Sequence, residues 1–452
     1  MNNTNGRDRI KGRPSKILSA VLSLVIVAVI AVGTVAVTNF AENTKPAPNN
    51  TPTVSISAPS ETPKTYTATV AATGDLLIHQ AIFEAAEQED GNYDFNKMFE
   101  HFKSYVSEAD YAVANLETTF AGTDLGYKFT GSPCFNSPDA IAEAAKNAGF
   151  DMLLTANNHA YDTRLKGMKR TAETVDSLGL DRLGTYLDTK EKRYIVKEIN
   201  NIKIGMVCYT YETDRNENSV ALNGIAMSEE AAGLVNAFSY GELDNFYTKM
   251  ETHIADMKAD GAEAIMLFIH WGDEYYTEEN ATQRKIAQKM CDLGVDVIVG
   301  GHPHMIQPVD LLTSSIDENH KTVCLYSMGD TLCNIPGSRN GKEAGYALDG
   351  VLFSVTFFKD VDGTVSVQSA DILPIYCNIY TSVKTGKPDY EIIPLDKNVV
   401  DWQAAFNLSD TTLAECERSI ERTTEIIEEG LKKVNTYLAG TDDKNSSDIS
   451  SK

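Results

Sequence analysis

The sequence predicts an α/β domain with a mixed sheet system of more than one layer, preceded by one N-terminal transmembrane helix. Three features predict it. From Thr65 onward, short β-rich apolar runs alternate with amphipathic helical segments. Several of those runs end in polar residues able to bind a metal ion. Near the N-terminus, an uncharged apolar stretch follows a cluster of arginines and lysines.

The anchor comes first. Residues 1–16 carry Arg7, Arg9, Lys11, Arg13 and Lys16, so they are expected in the cytoplasm under the positive-inside rule. No charge interrupts residues 17–37, and a helix of that length covers about 31 Å, enough for a hydrocarbon core of ~30 Å. A transmembrane helix is therefore expected over 17–38. A cleaved signal peptide would have an apolar region of about 7–15 residues and a small-residue cleavage site. The end of this run, Val35-Ala36-Val37-Thr38-Asn39-Phe40, offers no such site. A single-pass cell-membrane protein with its main domain outside is the expectation. Residues 39–64, rich in Asn, Thr, Pro and Ser, cannot bury a core and read as a disordered linker.

The main domain is expected over 65–400. A formal net charge of −24 repels nucleic acid and anionic headgroups. An anionic partner would have to be met through bound cations or a local basic patch. Seven cysteines occur without any C-x-x-C. Cys208 and Cys324 lie in strand-like runs and Cys291 in a helix-like one, so buried thiols are expected, with a Cys324–Cys333 bridge as the alternative.

Residues 67–72 read as a strand ending at Thr73-Gly74-Asp75, and 110–114 lead into Asn115-Leu116-Glu117. Helical spacing over 138–148 stops at Gly149, after which 150–155 run into Ala156-Asn157-Asn158-His159. Residues 264–269 end at His270-Trp271-Gly272, and 295–299 at Gly300-Gly301-His302-Pro303-His304. Loops at the carboxyl ends of parallel strands converge, so ligands gather there. Residues 202–211 after Asn200-Asn201, and 350–376 around Asp362-Gly363, read as hairpin strands. A C-terminal amphipathic helix is expected over 401–440, and a disordered polar tail over 441–452.

Asp75, Glu117, Asn158, His270, His302 and His304 supply two carboxylates, one amide and three imidazoles. That mixture suits one or two divalent ions such as Mn²⁺, Zn²⁺ or Fe²⁺. A lone histidine at a strand end is more often a structural group, but a collection of donors at neighbouring strand ends argues for metal. With two ions about 3.5–4 Å apart, a bridging carboxylate would help activate water for in-line attack on a phosphorus ester. His159 is placed to protonate a leaving group or hold a transition-state oxygen. The Gly-His-Pro-His segment is the most specific piece, its i, i+2 histidines facing one pocket from an extended segment. Trp271, Glu274 and Tyr275 either line the pocket or pack. Lys128, between Gly126 and Gly131, either binds an anionic substrate or is solvated.

In this order Gly74-Asp75, Asn115-Leu116-Glu117, Asn157-Asn158-His159-Ala160-x-Asp162, His270-Trp271-Gly272-x-Glu274-Tyr275, Gly301-His302-Pro303-His304 and Ser327-Met328-Gly329-Asp330 resemble the CapA, poly-γ-glutamate capsule synthesis family over residues 66–335. That family is similar in fold to the calcineurin-like metallophosphoesterases, which implies a four-layer αββα sandwich of metallophosphoesterase type. By this resemblance Asp75 matches the first metal-binding aspartate, and Glu117 stands where the phosphoesterases have a bridging aspartate. Asn158 matches the metal-binding asparagine, His159 the catalytic histidine, and His270, His302 and His304 the remaining ligands. The pattern departs at two places. The phosphoesterases carry Asp-x-His at the first motif, whereas Leu76 and Leu77 follow Asp75 here; His79 either substitutes or faces solvent. Asp330 stands where the family has asparagine, and is either a further ligand or a hydrogen-bond partner for a histidine.

The resemblance implies a part in synthesis or export of poly-γ-glutamate or another anionic capsule polymer, beside membrane synthetase subunits. The residues themselves point to an extracytoplasmic metal-dependent hydrolase of phosphoesterase type. Both readings stay open, since a fold does not decide a pathway. A surface binding module with structural metals fits the Asn158-His159 pair poorly.

Overall fold

The computed structural model describes residues 64–124, 126–213 and 220–449, with side chains to residue 440. These residues lie in one compact unit, Pro63–Lys452. The expected cytoplasmic segment 1–16, the transmembrane helix 17–38 and all but the end of the linker 39–64 fall outside the described residues. Among the described residues no helix is long and apolar enough to cross a membrane.

The unit is mixed α/β, with two large sheets. In the first, strands Tyr66–Leu76, Tyr111–Leu116, Met152–Leu154 and Asp181–Leu183 run parallel. Three antiparallel strands, Asp349–Lys359, Val365–Thr381 and Pro388–Pro394, extend this sheet beyond Tyr66–Leu76. In the second, Ile202–Tyr211, Ala264–His270, Val297–Gly301 and Lys321–Met328 run parallel, flanked by antiparallel Ile195–Ile199 and Ile306–Thr313. Both expected hairpins form. Asn200 and Asn201 take φ of 47° and 67° between Ile195–Ile199 and Ile202–Tyr211, and Gly363 takes φ of 90° in the other turn. Asparagine and glycine accept these left-handed conformations at little cost.

Alternation along the strands sorts their side chains between layers. Val70, Ala72, Val113, Met152 and Leu154 of the first sheet share one apolar core with Met206, Met266, Phe268, Val299 and Leu325 of the second. The intervening Ala71, Ala112, Ala114 and Leu153 face a separate core with helix Ala140–Ala148. Ile265, Leu267 and Ile269 face a third with helices Leu243–Ala259 and Ala281–Asp292. Fully burying an aliphatic or Phe side chain contributes about 1.5–3 kcal/mol, so the inter-sheet core holds the sheets face to face. Helix Ala140–Ala148 ends as expected, with Gly149 at φ 105°.

The C-terminal helix departs from expectation. A short helix, Trp402–Phe406, precedes it, and the main helix runs Asp410–Ile449, through the boundary expected at residue 440. It packs on both sheets, against Ile306–Thr313 of the second and Val365–Thr381 of the first. A Cβ on Gly430 would lie 1.7 Å from the Val309 carbonyl oxygen, so glycine is needed for this approach. Lys433 pairs with Asp310 at 2.6 Å. On the other side the buried Arg422 holds Asp349 in two bonds of 2.6 and 2.7 Å and lies over the Tyr346 ring at 5.4 Å. All seven cysteines are free, and Cys208, Cys291, Cys324, Cys333, Cys377 and Cys416 are buried.

Removing one partner of a buried bidentate pair leaves the other charge without compensation. Arg422→Met is expected to destabilise the domain by about 3–5 kcal/mol in urea unfolding, and Arg422→Met with Asp349→Asn by clearly less. Equal losses in the two variants would show that the ion pair is not the cause.

Candidate metal centre

The expected strand ends converge between the two sheets, not on one of them. Asp75, Glu117, Asn158 and His159 come from the first sheet, and His270, His302 and His304 from the second. Strand Tyr66–Leu76 pairs with Tyr111–Leu116 in a register that slips between Thr73 and Asp75, and also with Asp330–Leu332. Asp75 therefore sits opposite Asn115 on one side and Asp330 on the other. Gly74 occupies the slip, where a Cβ would fall 1.8 Å from the Gly329 carbonyl oxygen.

Two groups of buried side chains result, each with ligand atoms within 4.8 Å of one another: Glu117, His270 and His302, and Asp75, His304 and Asp330. In the first, His270 Nε2 lies 2.7 Å from Asn158 Oδ1 and 3.4 Å from Glu117 Oε1. In the second, His304 Nδ1 lies 2.9 Å from Asp330 Oδ1 and 3.3 Å from Asp75 Oδ2. The two histidines of the Gly-His-Pro-His segment do not extend into one group. His302 has φ 100° and His304 φ 53°, and the left-handed turn sends one imidazole to each group. Such backbone costs of order 1–3 kcal/mol per residue and is held by its surroundings. The rings of His302 and His270 are 4.8 Å apart, those of His302 and His304 6.1 Å.

The electrostatics are those of a cavity short of positive charge. Burial pushes the Glu117 carboxyl well up, reinforced by the charge of Asp75. Burial also raises Asp330, against the opposing charge of His304. On Asp75 burial is outweighed by the His304 hydrogen bond and by the charges of His270 and His304, which hold it at about 2. Burial lowers His270 to about 3 and holds His302 well below its usual range. On His304 burial is overcome by Asp330 and Glu117, which hold it well above the imidazole range. Both Glu117 oxygens, Asp330 Oδ2 and His302 Nδ1 are buried without hydrogen-bond partners. Unpartnered buried carboxylate oxygens cost several kcal/mol. A divalent cation would satisfy them together, and both donor sets, carboxylate with imidazole, suit one. The residues present fit a metal ion.

His159 lies beside the first group, its Nε2 3.9 Å from Glu117 Oε1. Its Nδ1 is 2.7 Å from Asp162 Oδ2, which also accepts from Phe135 N–H at 2.6 Å. Asn223 donates to Asp162 Oδ1 at 2.9 Å, and the Phe135 ring stands edge-on to His159 at 4.7 Å. The ring orientation is thus fixed from both sides.

The flanking candidates separate. His79 is half-buried and belongs to neither group. Its Nδ1 meets the Asn334 N–H at 3.2 Å and its ring stands edge-on to Phe135 at 5.3 Å. Asp330 instead completes the group of Asp75. Trp271 is fully buried against Tyr326, its indole N–H bonded to the Tyr326 carbonyl at 2.9 Å, so it packs. Tyr275, at φ 66°, lies with its ring 5.8 Å from that of His304. Glu274 and Lys128 are exposed, and the Lys128 carbonyl accepts from Asn136.

Sequence reasoning missed several neighbours. Asn115 donates to Asp75 Oδ1 at 2.6 Å, and Asn157 to the Leu116 carbonyl at 2.8 Å. The Tyr211 ring lies 4.8 Å from that of His302. Asp162 had a signal in its spacing from His159; Asn223, 61 positions from Asp162, had none.

Two face-to-face sheets with buried carboxylate and imidazole groups between their parallel strand ends define a metallophosphoesterase-like protein. The model of the bacterial capsule synthesis protein family PGA_cap matches residues 69–335, more than half of the chain, and the chain belongs to that family. It is 24% identical over 348 residues to the capsule biosynthesis protein CapA of Bacillus anthracis, covering 76% of this chain and 74% of that protein. It is 26% identical over 278 residues to the PGA biosynthesis protein CapA of Bacillus subtilis (strain 168), covering 60% of this chain and 66% of that one.

A ligand bound only by the folded state raises stability, by about 2.7 kcal/mol at a hundredfold excess over its dissociation constant. Adding Mn²⁺ or Zn²⁺ to chelator-treated protein is expected to raise its thermal unfolding midpoint. Unchanged melting across the titration would remove the metal from this site.

Proposed function

We propose that this chain works in the synthesis or export of an anionic capsule polymer of the poly-γ-glutamate type, using a divalent-metal centre between its two sheets. The observation that carries this reading is the pair of adjacent buried groups, Glu117–His270–His302 and Asp75–His304–Asp330, in a chain of the capsule synthesis family. The layering of helices, sheet, sheet and helices supports a metallophosphoesterase-type αββα sandwich. Anchoring through residues 17–38 would hold the domain outside the membrane where polymer emerges, beside membrane synthetase subunits. The donor set favours Mn²⁺, Zn²⁺ or Fe²⁺, and two groups favour two ions.

In this reading a bound ion supplies Lewis-acid polarisation and lowers the pKa of water. Glu117, with both oxygens free of hydrogen bonds, would be open to hold an ion beside His270 and His302. Asn115 orients the Asp75 carboxylate. His159, held by Asp162, directs Nε2 toward the first group and moves a proton at that nitrogen.

A second reading, a metal-dependent phosphoesterase or related hydrolase unconnected with capsule, is favoured by the His159–Asp162 pair. A strain lacking the protein is complemented with wild type, His159→Ala or His302→Ala, and surface polymer amount and length are measured. Wild type alone is expected to restore polymer. Full restoration by both variants would refute a working metal centre, and unchanged polymer in the deletion strain would refute the capsule role. His302→Ala and Asp330→Ala are each expected to lower bound metal per chain; undiminished metal in both would refute the ligand assignment.

A further inference from the structure

Arg339 stands at the base of a turn whose tip, Asn340-Gly341, has φ of 46° and 77°. Two successive left-handed residues make a tight two-residue hairpin, and Asn-Gly is the dipeptide that accepts it most readily. Arg339 and Lys342 close the turn by exchanging main-chain hydrogen bonds of 3.3 and 2.8 Å. The Asn340 side chain donates to the Tyr275 carbonyl at 3.4 Å, tying the turn to the loop beside the metal centre.

The Arg339 guanidinium lies over the Tyr275 ring at 5.7 Å, and the same ring lies 5.8 Å from the imidazole of His304. One tyrosine therefore separates a fixed positive charge from the Asp75–His304–Asp330 group. His79, held down to about 4 chiefly by burial, also feels this charge. Arg339 is half-buried. Arg170, Arg182, Arg284, Arg418 and Arg422 each hold a carboxylate; among the described residues Arg339, like Arg164 and Arg193, has no carboxylate within ion-pair distance, and of these three it is Arg339 that lies over the ring beside His304. Among the described residues the Arg339 side chain donates to the Ser338 carbonyl at 3.1 Å, which leaves most of its donors open. With 64 acidic residues against 40 basic ones in the chain, an arginine left without an acid beside a metal site points to a ligand that brings the acid.

We propose that Arg339, presented over Tyr275, is an anion subsite that takes a carboxylate of the substrate at the mouth of the metal centre; the assignment of that substrate rests on the capsule-polymer reading above. Guanidinium matches a carboxylate through two parallel hydrogen bonds. A simple phosphoester carries its charge at the reacting group, where the metal centre itself would meet it. A second anion site one tyrosine away suits a polymer with a carboxylate on every repeat, one repeat at the metal centre and its neighbour at Arg339.

The test is calorimetric binding of a γ-linked glutamate trimer, and separately of inorganic phosphate, to the full-length chain, manganese-loaded and chelator-treated. Arg339→Ala is expected to weaken trimer binding by at least about tenfold, with Arg339→Lys recovering part of it. Phosphate affinity, metal content and melting temperature are expected to stay at wild-type values. Trimer binding that is absent in wild type, or undiminished in Arg339→Ala, would overturn the subsite; an equal loss for phosphate would overturn its assignment to carboxylate. Binding is read without turnover, so Arg339-dependent trimer binding in a protein that restores no capsule would refute the capsule role and leave the subsite standing.

Discussion

Asp75, Glu117 and Asp330 are wholly out of contact with solvent, and imidazoles and an amide stand against them. Removing three carboxyl groups from water is costly, because an uncompensated buried charge costs several kcal/mol. The inter-sheet core offsets it. Apolar side chains from both sheets meet in one layer, and their burial presses the parallel strand ends together strongly enough to hold carboxylates that would otherwise draw apart. Asn115 then fixes Asp75 by a hydrogen bond inside the cluster, and Asn157 in turn holds Asn115 and the Leu116 carbonyl. The remaining open oxygens mark where positive charge is missing.

The strain of assembling the site is stored in its backbone. His302, His304 and Tyr275 all take left-handed conformations, which non-glycine residues adopt only when surrounding structure over-determines them. Gly300 shows how close the surroundings come: a Cβ there would lie 1.9 Å from the Tyr326 carbonyl oxygen. The strand Val297–Gly301 is wedged against its neighbour, and the chain beyond it has to turn sharply to deliver both histidines.

Distant elements reach the same place. The C-terminal helix, which belongs to neither carboxylate–imidazole group, grips Asp349 through Arg422 and lies against Tyr346. Tyr346 in turn lies under the ammonium of Lys342 in the turn that presents Arg339. The helix thus braces the turn beside the site as well as both sheets. His159 depends on reach of the same kind, its partner Asp162 being held by the Phe135 amide and by Asn223 from another part of the chain.

Much of this was legible in the sequence. Apolar alternation and Gly or Asn-Asn punctuation report local conformation, so the strands that end at Asp75, Glu117, Asn158, His270 and His302, and both hairpins, could be read residue by residue. Because donors at the ends of parallel strands converge, the metal-competent set followed from position alone. What the tertiary structure decided is the division of labour within that set. Two sheets share it, His302 and His304 part company, Asp330 takes a place that His79 does not, and Asn223, Tyr211 and Arg339 join from far along the chain. Periodicity records which side of an element is buried. Which buried sides meet is settled by packing between elements remote in sequence, and no local pattern carries that.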